Sequence, residues 1–340
     1  MPTIHKRNCD NCHKYYEGRG SKYCSTTCSY EAARLSENII ASSIVPEFNL
    51  DLFNVNEEYL YDETESRVRR EEIFSYFNDG KRRKINVISD LEFPYHDTRA
   101  IYKALTKGRQ DGATILSLAG DINHHTICSA FNILKDVPLE QEKQLSRNLI
   151  EFARSEGYEH VLAISGNHDR RLQKMLPKVL SKYPGLKTQI RDDMLADIEE
   201  EYDGYFIYAK GWWVQVGGCI ISHPGRYSSV KENLLVNSKN TVDYFLRRGH
   251  EFQAVVQGHS HIMGMGKHCR KAIIETGCMC KQIDYNVSDK QTNPIWEQAH
   301  AVIALDGYDF IWNDTRLYEI GTIGTENNVA RLRTGEDEGH

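Results

Sequence analysis

Five short apolar runs in this chain each stop on residues that bind metal ions or move protons, and that repetition narrows the folds open to it. Ile85, Asn86, Val87 and Ile88 lead to Ser89, Asp90 and Glu92; Ile115 to Gly120 leads to Asp121. His160 to Ile164 leads to Ser165, Gly166, Asn167, His168, Asp169 and Arg170. Ile220, Ile221 and Ser222 lead to His223, and Val255, Val256 and Gln257 to Gly258, His259, Ser260 and His261. Runs of this length read as buried strands, and strands of an open α/β sheet deliver ligand-binding groups at their carboxyl ends. Each stretch alone has a duller explanation, His223 or His259 as a hydrogen-bonded structural histidine and Asn167 as a turn residue. Five in succession, each ending in Asp, Asn or His at the same relative position, describe one shared site.

Between the runs the pattern turns helical. Thr98 to Gln110, Leu139 to Glu156 and Arg171 to Leu180 carry helical apolar spacing, for example Leu145, Leu149, Ile150 and Phe152. Strands alternating with helices indicate crossover connections and a largely parallel sheet. Later in the chain β-like runs dominate (Tyr205 to Ala209, Trp212 to Ser222, Ala272 to Thr276, Ala299 to Leu305, Asp309 to Trp312), so a second sheet packed on the first is expected.

The flanks differ in composition. Cys9 and Cys12 are followed after 11 residues by Cys24 and Cys28. Two close pairs place four thiolates tetrahedrally about one Zn²⁺, with a small hairpin in the gap Lys14 to Lys22; a His13 substitution for one thiolate or two disulfides are the other readings. Residues 1–34 are therefore read as a zinc knuckle. Residues 35–66 contain no Lys or Arg but carry Glu37, Glu47, Asp51, Glu57, Glu58, Asp62, Glu63 and Glu65, an acidic linker or solvated helical surface. Arg67, Arg69 and Arg70 open a helix, and Gly80 to Lys84 is a basic stretch that fits a solvated charge run or a phosphate-backbone contact. The main domain is placed at 67–320 and a mobile acidic tail at 321–340.

With 42 Lys and Arg against 48 Asp and Glu, the chain is no polycation for coating nucleic acid, so any such contact is local. No run of about 18 apolar residues exists and the first residues lack the apolar core of a secretory signal, so a cytoplasmic protein with no membrane partner is expected (host cytoplasm if phage-encoded). The five cysteines after residue 100 show no regular framework, which fits reduced thiols; Cys278 and Cys280 are read as buried free thiols.

Asp90, Glu92, Asp121, Asn167, His223, His259 and His261 supply carboxylates, an amide and imidazoles, a mixture suited to two divalent ions a few Å apart. Such a pair clamps a phosphoryl group, lowers the pKa of a bridging water and stabilises attacking and leaving oxygens. In order and spacing, Asp90-x-Glu92, Gly120-Asp121, Gly166-Asn167-His168-Asp169, Ser222-His223 and Gly258-His259-Ser260-His261 resemble the calcineurin-like metallophosphoesterase superfamily, over residues 85 to about 310, with Ala119 to Arg171 most similar to phage-encoded members. The N-terminal cysteines are similar to short zinc knuckles attached to phage and nuclease proteins. The resemblance implies a four-layer α/β/β/α sandwich. It implies Asp90, Glu92, Asp121 and His261 around one ion, and Asp121, Asn167, His223 and His259 around the other. It implies His168 as the acid that serves the leaving oxygen, with Asp169 orienting its imidazole.

Two positions depart from the family pattern. Glu92 stands where relatives usually have His, adding negative charge and favouring harder ions such as Mn²⁺ or Fe over Zn²⁺, with Zn²⁺ and Mg²⁺ as the other candidates; His96 is the alternative ligand weighed for that place. His124 stands where relatives often carry Asp and is not expected to bind an ion. Arg170 and Arg171 fit either a contact to substrate phosphate or a solvated helix start. Trp212, Trp213 and Trp296 read as core rather than base-stacking platforms. The expected activity is hydrolysis of a phosphodiester, in a nucleotide or in DNA or RNA, by a hydroxide generated between the ions. A protein or small-molecule phosphomonoesterase is the runner-up, and a catalytically weak binding module recruiting a protein partner through the knuckle is the reading of another class.

Overall fold

The computed structural model describes residues 5–8, 15–18, 57–128, 137–181, 193–225, 234–281 and 296–323. Contacts divide the chain into two compact units, Met1–Tyr61 and Asp62–His340. In the first, strand β1 (His5–Asn8) pairs antiparallel with β2 (Tyr15–Gly18). Residues 19–22 of the hairpin expected over Lys14 to Lys22 lie outside the described residues. Cys9, Cys12, Cys24 and Cys28 lie outside the described residues, as does the tail beyond Ile323.

Helix α1 (Glu57–Phe77) begins ten residues before the start expected at Arg67. Neither Gly nor Pro interrupts the sequence as far as Phe77. The rest runs β3 (Arg82–Ile88), α2 (Thr98–Gln110), β4 (Ile115–Ala119), α3 (Leu139–Ser155), β5 (His160–Ile164), α4 (Arg171–Leu180), α5 (Met194–Glu201) and β6 (Phe206–Tyr208). It continues through β7 (Trp213–Val216), β8 (Cys219–Ser222), α6 (Val236–Arg247), β9 (Ala254–Gln257), β10 (Met263–His268), β11 (Lys271–Thr276), β12 (Trp296–Asp306), β13 (Asp309–Phe310) and β14 (Arg316–Ile323).

One sheet has the order β13-β12-β3-β4-β5-β6 with β14 also on β12, and β3 to β6 run parallel. The other has the order β10-β11-β9-β8-β7, parallel through β11, β9 and β8. Between the sheets Ile85, Val87, Ile115 and Leu162 meet Val214, Ile221, Val256 and Ile274. On its other face the first sheet packs Leu116, Leu118 and Val161 against Leu105 of α2, Ile150 of α3 and Ile198 of α5. The second sheet covers Ile220, Val255 and Ile273 with Val242 and Phe245 of α6. Strands buried on both faces need apolar residues at every position, which explains the unbroken runs in the sequence.

Trp212 to Ser222, read as one run, is two antiparallel strands joined at Gly217 and Gly218. Strand β10 escaped notice because Gly264 and Gly266 break its β pattern; both glycines lie against Leu235. Strand β14 extends to Ile323, so residues expected in the tail form sheet. Among the described residues no helix is long and apolar enough to cross a membrane.

Candidate metal centre and proton donor

The three adjacent parallel strands β3, β4 and β5 deliver Asp90 and Glu92, Asp121, and Asn167 and His168; the adjacent parallel strands β8 and β9 deliver His223, His259 and His261. At these ends the backbone leaves the pleat abruptly. Asp90, Glu92, Asp121, His259 and His261 all adopt left-handed conformations, with φ of 52°, 53°, 49°, 80° and 59°. Non-glycine residues in that region cost about 1–3 kcal/mol each and persist where the surroundings over-determine them, commonly at functional sites. The turns are tied together: the Asp90 amide donates to Gly120 O at 3.1 Å and the Glu92 amide to Asp121 O at 2.9 Å. Gly166 is required by close approach, because a Cβ there would lie 2.0 Å from Oδ1 of Asp121.

Two clusters result, Asp90, Glu92 and His261 in one and Asp121, His223 and His259 in the other, each with its ligand atoms within 4.8 Å of one another. His223 links them, its Nε2 lying 3.1 Å from Oδ2 of Asp121 and 3.9 Å from Oδ1 of Asp90. Its Nδ1 faces Ala119 O at 2.7 Å, which fixes the ring and turns Nε2 to the carboxylates. Nε2 of His261 is 3.0 Å from Oδ1 of Asp90, and the His259 amide donates to Oδ2 of Asp90 at 2.8 Å. Asp121 accepts the His168 amide at 2.7 Å.

The charges at this centre are unbalanced without cations. Asp90, Glu92 and Asp121 are buried, and among the described residues their ion-pair partners are imidazoles, with no Lys or Arg. Burial alone would lower the His223 imidazole, yet Asp121 and Asp90 drive it up to about 10. His261 is likewise pushed up to about 9, Asp90 outweighing burial. Burial would raise the Asp121 carboxyl, but His168 and His223 hold it well below the usual range. Oε1 of Glu92 and Oδ1 of Asn167 are buried with no hydrogen-bond partner. Orphaned acceptors beside imidazoles that borrow protons are what a set of divalent-ion ligands looks like, so these residues fit the group that the donor chemistry implies.

His168 is held differently from the expectation. Its Nδ1 lies 2.5 Å from Oε2 of Glu92, and Nδ1 of His124 lies 2.5 Å from the same oxygen. The carboxylate of Asp169 is turned away from the imidazole and accepts the backbone amides of Gly166 (2.8 Å), Asn123 (2.9 Å) and Ile122 (3.3 Å). The contact to the imidazole expected of Asp169 is made by Glu92, and three loop amides take the Asp169 oxygens. Burial, reinforced by Asp121, pushes the Asp169 carboxyl up to about 7.

Sequence reasoning missed the supports of this loop. Glu142 of α3, fully buried, accepts the amides of His125 at 2.7 Å and Thr126 at 3.0 Å. Nothing in the sequence marks a single Glu in the first turn of an amphipathic helix as a loop clip. Arg170 Nε donates to Gly166 O at 3.2 Å and Arg171 donates to His124 O at 2.7 Å, so both arginines brace site loops. His96 stays outside both clusters, its ring edge against Phe93 with centroids 4.7 Å apart. Trp296 is not deep core but stands edge-on to His261 with centroids 4.4 Å apart, whereas Trp212 and Trp213 pack against Phe245. In the basic stretch Lys81 and Arg83 pair with Asp79, Arg82 pairs with Asp314, and Lys84 donates to Asp111 O. These side chains are engaged in ion pairs and a backbone contact within the unit.

A model of calcineurin-like phosphoesterases matches residues 83–263, and the chain belongs to that family. No curated protein matches it. Similar solved structures include an archaeal phosphodiesterase (15% identity, 70% of this chain and 99% of that one, TM-score 0.36). Others are vacuolar protein sorting 29 from Cryptosporidium parvum (15% identity, 72% and 98%, TM-score 0.36) and the phosphoesterase Yfce from E. coli (17% identity, 70% and 100%, TM-score 0.33). Similarity this low decides neither substrate nor mechanism.

Proposed function

We propose that this phosphoesterase hydrolyses phosphodiesters, in a nucleotide or nucleic acid, with His168 as the acid. The observation that carries the reading is the His168 imidazole held through Nδ1 on Glu92, a residue of the first ligand cluster. In this reading Asp90, Glu92 and His261 hold one divalent ion and Asp121, Asn167, His223 and His259 the other, with Mn²⁺ or Fe preferred by the carboxylate-rich set. Bound there, the ions supply an activated water and neutralise charge on the phosphoryl oxygens. Asp90 and Asp121 fix the neighbouring loops through the His259 and His168 amides. Glu92 stabilises the protonated His168 ring, whose Nε2 gives its proton to the leaving ester oxygen. Three carboxylates set against two divalent ions leave little net positive charge. That favours a singly charged diester over a monoester, which carries nearly two charges at neutral pH.

The test is turnover of bis-p-nitrophenyl phosphate and of p-nitrophenyl phosphate with added Mn²⁺, in the native chain and in His168→Ala and Asp121→Ala. Diester cleavage lost in Asp121→Ala, and a loss in His168→Ala that is larger for a diester with a poor leaving group, such as methyl phenyl phosphate, than for bis-p-nitrophenyl phosphate, support the reading. Cleavage of the monoester alone would establish the phosphomonoesterase instead, and no turnover with any divalent ion would leave a binding module.

The finer architecture belongs to the same proposal: an α/β/β/α layering of the phosphoesterase unit, and one structural Zn²⁺ on Cys9, Cys12, Cys24 and Cys28, supported by the spacing of the two pairs. That knuckle is a candidate surface for a protein or nucleic-acid partner, and the cytoplasm is the candidate compartment.

A further inference from the structure

We infer that Cys278, Cys280 and His261 form a thiol-bearing cation subsite for a thiophilic divalent ion of the zinc group, behind the Asp90 and Glu92 carboxylates. After β11 the chain turns at Gly277 (φ +69°), where a Cβ would lie 2.3 Å from Glu297 O. It then bends at Met279, between isolated bridges from Cys278 to Gln298 and from Cys280 to His96. Met279 enters the apolar core, while the two cysteine sulfurs come together beside His261. The Met279 amide lies 3.1 Å from both Ser89 O and Asp90 O, which ties this segment to the backbone of the first ligand cluster.

Both thiols are fully buried, and their sulfurs and a ring nitrogen of His261 all lie within 4.8 Å of one another. Independently, Nδ1 of His261 is buried with no hydrogen-bond partner, although its Nε2 reaches Asp90. Ligands at tetrahedral zinc distances stand about 3.8 Å apart, so small side-chain shifts close the set around an ion. Buried cysteines more often act as small hydrophobes, but two of them grouped with an imidazole that has one ring nitrogen unpartnered form a set of soft donors. On binding, each thiol releases its proton to solvent and the two thiolates and His261 ligate the ion. Because His261 is shared, an ion here competes with the one proposed for Asp90, Glu92 and His261. The subsite would therefore make hydrolysis sensitive to zinc-group ions.

The experiment is ¹H–¹¹³Cd correlation spectroscopy on the full chain titrated with ¹¹³Cd²⁺. The expected result is a cadmium resonance correlated with the β protons of Cys278 and Cys280, separate from any resonance of the N-terminal cysteines. It should vanish in Cys278→Ser/Cys280→Ser while the N-terminal resonance persists. No correlation to those β protons at excess cadmium in the native chain overturns the inference, and that measurement decides alone should the double variant fail to fold. The readout is coordination rather than turnover, so failure of the hydrolase reading leaves a distinct signature.

Discussion

Replacing Glu92 by Gln keeps the shape of the side chain and removes the charge from Oε2, the atom 2.5 Å from Nδ1 of both His124 and His168. Hydrogen bonds to charged groups contribute about 1.5–3 kcal/mol, and the protonated His168 ring loses about that much support. Every 1.36 kcal/mol is tenfold in rate, so a step that needs the His168 proton should slow by about 10- to 150-fold. The loss should depend on the leaving group. p-Nitrophenolate departs without help, whereas a poor leaving group takes the whole penalty. The assay is kcat for aryl methyl phosphodiesters of graded leaving-group pKa, at saturating Mn²⁺ with metal content measured, for the native chain and Glu92→Gln. A uniform loss across the series with full metal content would refute the claim that Glu92 acts through His168. No loss at all would refute it equally.

Gly166→Ala should lower Tm by several degrees and reduce ion uptake, because the new Cβ would meet Asp121 at Oδ1 (2.0 Å) and at the amide N (2.3 Å), and overpacking costs about 1–3 kcal/mol; a native Tm with full ion stoichiometry would contradict this. The raised histidines give a pH signature. Burial would lower both, but Asp121 and Asp90 lift His223 to about 10 and Asp90 lifts His261 to about 9. Their stabilisation is fully present below the ordinary histidine value near 6.5 and is lost as pH rises through about 9 to 10. Chelator-treated protein should therefore lose Tm across that window. Ion binding must displace the same protons, so apparent ion affinity should rise with pH over the same range, as titration calorimetry in buffers of different ionisation heat would register. A flat Tm profile in chelator together with pH-independent binding would show that these imidazoles are already neutral.

Much of the fold was legible because buried parallel strands need unbroken apolar runs: Ile115 to Ala119 and His160 to Ile164 are strands at the positions expected. Strand β10 was hidden because Gly264 and Gly266 serve packing against Leu235 rather than β propensity. Helix α6 was hidden because its first half carries the weak helix formers Asn237, Ser238, Asn240 and Thr241 and follows Leu235 in a left-handed conformation. The convergence of Asp90, Glu92, Asp121, His223, His259 and His261 was foreseeable from residue type at strand ends. Which carboxylate serves which imidazole was not. Asp169 follows His168 in sequence, yet the loop amides of Gly166, Asn123 and Ile122 take its oxygens and Glu92, from another strand, takes the imidazole. Hydrogen-bond partners are settled by distances across the fold, to which neighbouring positions in the chain give no guide. Residue order alone determined the strands and the kinds of ligand they carry; tertiary packing alone decided their pairing and brought Cys278 and Cys280 up behind His261.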